Sequence, residues 1–145
     1  MDELTAADIA SLAGGRLVGD PAALVGPRVV VDSRLAGPGA LFVALPGERV
    51  DGHDYAATAV EQGAAAVLGS RELDLAVPQV VVADGLAGLT ALATGLVSRA
   101  KATGLGVVGI TGSSGKTSTK DLTAAVLAAA GPVVAPVGSF NNELG

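Results

Sequence analysis

The sequence predicts an α/β protein, and three observations carry that prediction. Short valine-rich runs alternate with alanine- and leucine-rich stretches of helical spacing, the pattern of helices layered on a sheet. Half of the 145 residues are hydrophobic, yet the only aromatics are Phe42, Tyr55 and Phe140. The core must therefore come from Val, Leu and Ala, as it does where helices cover Val-rich strands. Near residue 110 a β-branched run passes into a glycine-rich turn and then into an alanine-rich helix, a strand–loop–helix unit.

The elements follow in order. Thr5-x-x-Asp8 has the spacing of a capping box and opens a helix that runs through Ala13, with Gly14-Gly15 as its stop. Arg16-Leu17-Val18 and Val29-Val30-Val31 are strand candidates, the second leading into the polar cluster Asp32-Ser33-Arg34. Pro38-Gly39 marks a turn. The continuous apolar run Ala40 to Leu45 has strand length and reads as a central strand. A polar loop, Pro46 to Asp54, comes next, and Asp54 is expected to cap a helix from Tyr55 to Gln62 that Gly63 ends. Ala65–Leu68 and Gln79–Val82 are further strands. Asp84 caps a longer helix whose apolar stripe is Leu86, Leu89, Ala93, Leu96 and Val97, with Arg99 and Lys101 suited to its C-terminal dipole and Gly104 beyond it. The last elements are a buried strand at Val107-Val108-Gly109-Ile110, a helix from about Thr117 to Ala130 and a short strand at Val133-Val134-Ala135. We place the domain boundary at residue 84, so that residues 1–84 form one unit and residues 85–145, the capped helix included, begin a second.

The stretch Gly109 to Asp121 carries the clearest chemistry. Thr111-Gly112-Ser113-Ser114-Gly115-Lys116-Thr117 departs by one place from the usual Gly-x-x-x-x-Gly-Lys-Ser/Thr phosphate loop, because Ile110 stands where the first glycine would be. Glycines let several backbone N–H groups converge, and a helix N-terminus adds partial positive charge. Lys116 brings a full charge, and the Thr117 hydroxyl can hold Mg²⁺. Such a loop suits the phosphates of ATP, with Gly112, Ser113, Ser114, Gly115, Lys116, Thr117 and Ser118 lining it. Ser118 reads equally well as a plain first-turn helix residue.

Composition excludes several classes. A net charge of −5 without a basic cluster argues against a general nucleic-acid binder. The chain has no cysteine, so it offers neither disulfides nor thiolate metal sites, and its single histidine leaves no second one for a metal pair. The start Met-Asp-Glu-Leu is acidic rather than signal-like. The longest charge-free run, Leu122 to Asn142, is broken by Gly131, Pro132 and Pro136, so it is not read as a membrane span. A cytoplasmic protein is expected. The second unit is expected to be incomplete: an ATPase sheet of this kind takes about five strands and a downstream carboxylate for Mg²⁺. That makes the chain the N-terminal part of a longer enzyme, inactive alone.

The phosphate-loop sequence resembles that of the Mur ligases, the ATP-dependent amide-forming enzymes of peptidoglycan precursor synthesis, whose signature is Thr-Gly-x-x-Gly-Lys-Thr/Ser. The upstream motifs agree with the family's N-terminal domain in the same order: Asp32-Ser33-Arg34, Pro38 to Leu45, and Gly47 to Asp54. Within the family, Gly112 to Asp121 and the tail Ser139 to Gly145 resemble the member that joins D-alanyl-D-alanine to UDP-N-acetylmuramoyl-tripeptide. The member that adds the third peptide residue usually has Thr-Asn where Ser113-Ser114 stand here.

The resemblance implies a small α/β domain that binds the UDP substrate, followed by the start of a phosphate-loop ATPase domain with a parallel sheet. It implies phosphorylation of the tripeptide carboxylate by ATP with Mg²⁺, and attack of the dipeptide amine on the acyl phosphate. Lys116 is then the catalytic cation and Thr117 the metal ligand. Ser33, Arg34, Asp51 and His53 are implied to contact the UDP substrate, and Asn141 and Asn142 the substrate or ATP. Each has a plainer reading: Ser33-Arg34 as a turn, His53 as a residue bonded to its own loop, and Asp51 with Asp54 as helix caps. A phosphate-loop kinase or regulatory ATPase is a competing class, but it has no need of the upstream motifs. A non-catalytic nucleotide-binding module is another.

Overall fold

A computed structural model describes residues 3–47 and 50–136. It divides into two compact units, Met1–Gly104 and Leu105–Gly145.

The first unit is built on a five-stranded sheet of order β2-β7-β6-β5-β4. Its strands are β2 (Arg16–Val18), β4 (Val29–Val30), β5 (Leu41–Val43), β6 (Ala66–Gly69) and β7 (Gln79–Val81). From β4 through β7 the neighbours are parallel, and β2 joins β7 antiparallel at one edge. Leu41, Phe42 and Val43 are all buried, as an interior parallel strand requires. Alternation sends Leu41 and Val43 to one face and Phe42 and Ala44 to the other. On the first face they meet Ile9 of α1 (Ala6–Ala13) and Leu92 of α3 (Gly85–Ala102). On the second they meet Ala56 and Ala59 of α2 (Ala56–Glu61). A two-stranded antiparallel ribbon, β1 (Leu4–Thr5) with β3 (Leu24–Val25), adds Val25 to the first cluster. No sequence signal marks this ribbon.

The capping box forms as expected: the Thr5 hydroxyl accepts from the Asp8 N–H at 3.1 Å, while the Thr5 N–H donates to the Asp8 carboxylate at 3.2 Å. Gly14 ends α1 with φ 67°. Gly63 ends the α2 turn with φ 106°, where a Cβ would also lie 2.9 Å from the Pro38 nitrogen. Only glycine fits such a position.

Three expectations are corrected. Asp54 does not cap α2. A 3₁₀ turn, Gly52–Tyr55, precedes that helix, and Asp51 caps the turn by accepting the His53 N–H at 2.9 Å. The boundary at residue 84 moves to Gly104, because α3 is part of the first unit. Its packed face is Gly85, Gly88 and Leu92, with Leu89 and Leu96 alongside, whereas Val97 is 42 % exposed. The predicted stripe shares Leu89 and Leu96 with this face but misses its glycines, which are contact positions: a Cβ on Gly88 would stand 3.0 Å from Val82 and one on Gly95 2.6 Å from Leu12. In the second unit, Val107–Ile110 and Val133–Ala135 are not strands, and Val107, Val108 and Val134 are exposed. A strand is defined by a ladder partner, and none of the described residues pairs with either segment. The described helix of this unit is α4 (Lys116–Ala128).

If α3 belongs to the first unit, Leu92→Ala should cost about 3 kcal/mol of its stability, and Val97→Ala less than about 0.5 kcal/mol. Urea unfolding followed by circular dichroism measures both.

Candidate functional site

Parallel pairing brings the C-terminal ends of β4, β5 and β6 to one edge of the sheet, the side on which open α/β sheets take ligands. Each strand delivers polar residues there. After β4, Asp32 caps a 3₁₀ turn, Ser33–Leu35, by accepting the Arg34 N–H at 3.0 Å. The Arg34 guanidinium then returns to the same carboxylate, 2.6 Å from Nη2 to Oδ2. Arg34's side-chain and backbone hydrogen bonds hold the Asp32 carboxyl down to about 2. Ser33, the first residue of this turn, is 7 % exposed, and its hydroxyl has no hydrogen-bond partner among the described residues.

The loop after β5 carries Asp51 and His53. His53 is buried, with Nδ1 2.6 Å from Asp51 Oδ1 and Nε2 accepting the Ser70 N–H at 2.9 Å. Asp51 also accepts from Arg71 Nη1 at 2.7 Å, and Arg71 Nη2 stands 3.5 Å from Asp54. The structure thus brings Asp51 and His53 together, but through His53's side chain being enclosed rather than exposed to a ligand. Ser70 and Arg71, at the end of β6, were missed. The strand-end rule that singled out Ser33 and Arg34 applies equally to them.

The second unit holds the glycine loop. Gly115 adopts φ 75°, ψ 2°, a left-handed conformation natural to glycine, and serves as the N-cap of α4. No side chain caps the helix, so no side-chain acceptor occupies its first-turn N–H groups, and the first helical bond runs from the Thr119 N–H to the Gly115 carbonyl at 2.9 Å. Lys116 Nζ arches back to donate to the Gly112 carbonyl at 2.6 Å. A Cβ on Gly109 or Gly115 would meet nothing within 4 Å, and one on Gly112 only the Ser114 carbonyl at 3.6 Å. Ser113, Ser114, Thr117 and Ser118 are exposed, and the Thr117 hydroxyl makes no hydrogen bond among the described residues. An open loop, unclaimed helix N–H groups and an adjacent ammonium fit a phosphate chain, and the Thr117 hydroxyl beside them is an oxygen of the kind that could ligate a hard cation. Asn141 and Asn142 lie outside the described residues.

The contacts to Asp51 have a consequence for acid stability. The His53 backbone N–H, the His53 ring and Arg71 all donate to its carboxylate, in that order of weight, and hold it well below the usual carboxylate range. Because the folded form is the weaker base, its stabilising effect is complete above about pH 4, the ordinary carboxylate value, and is lost as pH falls through the depressed folded value. Asp51→Asn should therefore flatten the acid limb of the urea midpoint plotted against pH. An unchanged slope below pH 4 would contradict the assignment.

Comparison with known proteins agrees with both segments. The model described as "Mur ligase family, catalytic domain" matches residues 28–100, and that of the "Mur ligase middle domain" matches residues 110–145. The UDP-N-acetylmuramoyl-tripeptide–D-alanyl-D-alanine ligase of Mycobacterium tuberculosis (strain ATCC 25618 / H37Rv) is 50 % identical over 169 aligned positions, which cover 100 % of this chain and 33 % of that protein. A crystal structure of MurF from Acinetobacter baumannii superposes with a TM-score of 0.84 at 34 % identity, over 99 % of this chain and 31 % of that one. The MurF ligase from Thermotoga maritima in complex with ADP gives a TM-score of 0.55 at 35 % identity, over 70 % of this chain and 23 % of that one. The chain spans about a third of the length of the curated relatives it matches over its whole extent. No helix among the described residues is long and apolar enough to cross a membrane. With one family model spanning residues 28–100 and a second taking up the phosphate loop, this chain belongs to the Mur ligase family.

Proposed function

We propose that this chain supplies the UDP-substrate-binding domain, and the phosphate-binding start of the ATPase domain, of a ligase that joins D-alanyl-D-alanine to UDP-N-acetylmuramoyl-tripeptide in peptidoglycan precursor synthesis. The observation that carries the reading is the phosphate loop: Gly115 in the left-handed region, an N-terminus of α4 without a side-chain cap, and Lys116 poised over the loop. The whole-chain likeness to UDP-N-acetylmuramoyl-tripeptide–D-alanyl-D-alanine ligases supports the choice of substrates. The cytoplasm, where ATP and UDP-linked precursors meet, is the compartment this reading implies.

The division of labour follows from the residues. On the first unit, the unpartnered Ser33 hydroxyl and the Arg34 guanidinium offer a donor and a charge to a uridine nucleotide at the strand ends. On the second, the backbone of Gly112 to Gly115 and the first turn of α4 would hold the ATP phosphates, with Ser113, Ser114 and Ser118 beside them. Lys116 would exchange its bond to the Gly112 carbonyl for one to a phosphate oxygen, placing a cation where charge develops during transfer. Thr117 would hold Mg²⁺, which when bound neutralises the phosphates and aligns them. A carboxylate is a poor acylating group because oxide leaves badly. Transfer of phosphate to it supplies the leaving group, and the dipeptide amine then forms the amide. Positioning and charge neutralisation, rather than proton transfer by this chain, are the protein's share.

Titration calorimetry tests the reading. The chain should bind UDP-N-acetylmuramoyl-tripeptide more tightly than ATP, because the first unit presents a sheet covered on both faces while no strand is found among the described residues of the second. Tight ATP binding without any UDP-ligand binding would contradict it. Lys116→Ala should weaken ATP binding by about a hundredfold, the worth of a charge-assisted bond of about 3 kcal/mol, and leave the unfolding midpoint unchanged.

A further inference from the structure

The single histidine of the chain stands between a carboxylate and a hydroxyl. Asp51 Oδ1 lies 2.6 Å from His53 Nδ1, and Ser70 Oγ lies 3.2 Å from Nε2. These are the contacts of an acid–base–nucleophile triad, but two observations deny the ring that use. The Ser70 backbone N–H also points at Nε2, at 2.9 Å. An amide N–H can only donate, so Nε2 must accept, and its one in-plane lone pair is already engaged by a shorter bond than the one to the hydroxyl. The ring is also sealed: its side chain is 1 % exposed, and a Cβ on Gly69 would lie 2.9 Å from Nε2. A general base needs a free lone pair and a route for the proton, and this ring has neither.

We propose that His53 is a positioning residue. As the neutral tautomer with its proton on Nδ1, it clamps the loop after β5 onto the C-terminal end of β6. The contacts close a circuit: the Ser70 N–H donates to the ring, the ring donates to Asp51, and Asp51 accepts from Arg71, the residue after Ser70. Two successive residues of one strand end thus grip two residues of the neighbouring strand's loop, and Asp54 adds a longer contact to the same guanidinium. Gly69 belongs to the device, because a side chain there would take the space of the ring. The proposal rests on the reading of this sheet edge as the uridine-nucleotide site, and it gives His53 a part in that site without contact with the nucleotide. The clamp keeps the ends of β5 and β6 fixed beside the end of β4, where Ser33 lies.

Two variants separate the two bonds. His53→Gln keeps an acceptor near the place of Nε2 but offers Asp51 no donor; His53→Asn keeps a donor near the place of Nδ1 but leaves the Ser70 N–H without its acceptor. Each should weaken binding of UDP to the 145-residue chain about tenfold, the worth of one buried hydrogen bond, with the circular dichroism spectrum preserved. The ring ¹⁵N resonances of the unsubstituted chain should show the proton on Nδ1. A ring protonated on Nε2, full UDP affinity in both variants, or labelling of Ser70 by a fluorophosphonate would overturn the clamp. Failure of the unsubstituted chain to bind UDP would instead overturn the reading of the edge as a nucleotide site, and the ring resonances would still decide the clamp.

Discussion

Burial of β5 on both of its faces is the constraint from which the first unit follows. Leu41, Phe42 and Val43 are at most 1 % exposed and point alternately to opposite sides. A strand of that composition is stable only between two covering layers, so α1 and α3 must lie on one side and α2 on the other. β4 to β7 are parallel neighbours, so the chain crosses over between them, through α2 from β5 to β6 and without a helix from β6 to β7. Parallel strands end on a common edge, and there the polar residues that cannot enter the core accumulate. The candidate site is in this sense the other end of the packing problem that β5 poses.

Much of this was legible in the sequence, for reasons that can be named. The capping box at Thr5 and the cap at Asp84 are local chemistry, decided by groups three residues apart, and both form as read. Strands β5 and β6 were visible as apolar runs because burial on both faces leaves little room for polar residues in them, and β2 and β7 as short runs of valine and leucine that begin on Arg16 and Gln79. What was not legible depends on contacts distant in sequence. The place of α3 in the first unit rests on Gly85 and Gly88, which a hydrophobic count does not register. Here the missing side chain is itself the contact, letting Leu45 and Val82 approach the helix backbone. The runs at residues 107–110 and 133–135 have strand composition, but composition cannot supply a neighbouring strand.

The site was legible to a similar depth. Glycine spacing marked the phosphate loop, and Gly115 takes the left-handed conformation that such spacing anticipates. Strand-end position marked Ser33 and Arg34, and the resemblance of the loop from Gly47 to Asp54 marked Asp51. The enclosure of His53 was not readable, since it depends on an amide and a glycine in β6 and the residue after it, 16 and 17 positions away. A lone histidine in a polar loop reads equally as a substrate contact and as a residue bonded to its own loop until the fold shows what occupies its two nitrogens.

The edges of the sheet carry a consequence of another kind. At one border β4 is only two residues long and follows Pro27 and Arg28. At the other, β2 is three residues long, and its Arg16 is tied to Glu72 by a 2.9 Å ion pair. A foreign strand adds to a sheet by finding a run of unpaired amides and carbonyls on a flat border, and proline and charge interrupt such runs. With both margins this short, one preceded by proline and arginine and the other opening on a paired arginine, the first unit offers little template for intermolecular β-pairing, although half of the chain's residues are hydrophobic.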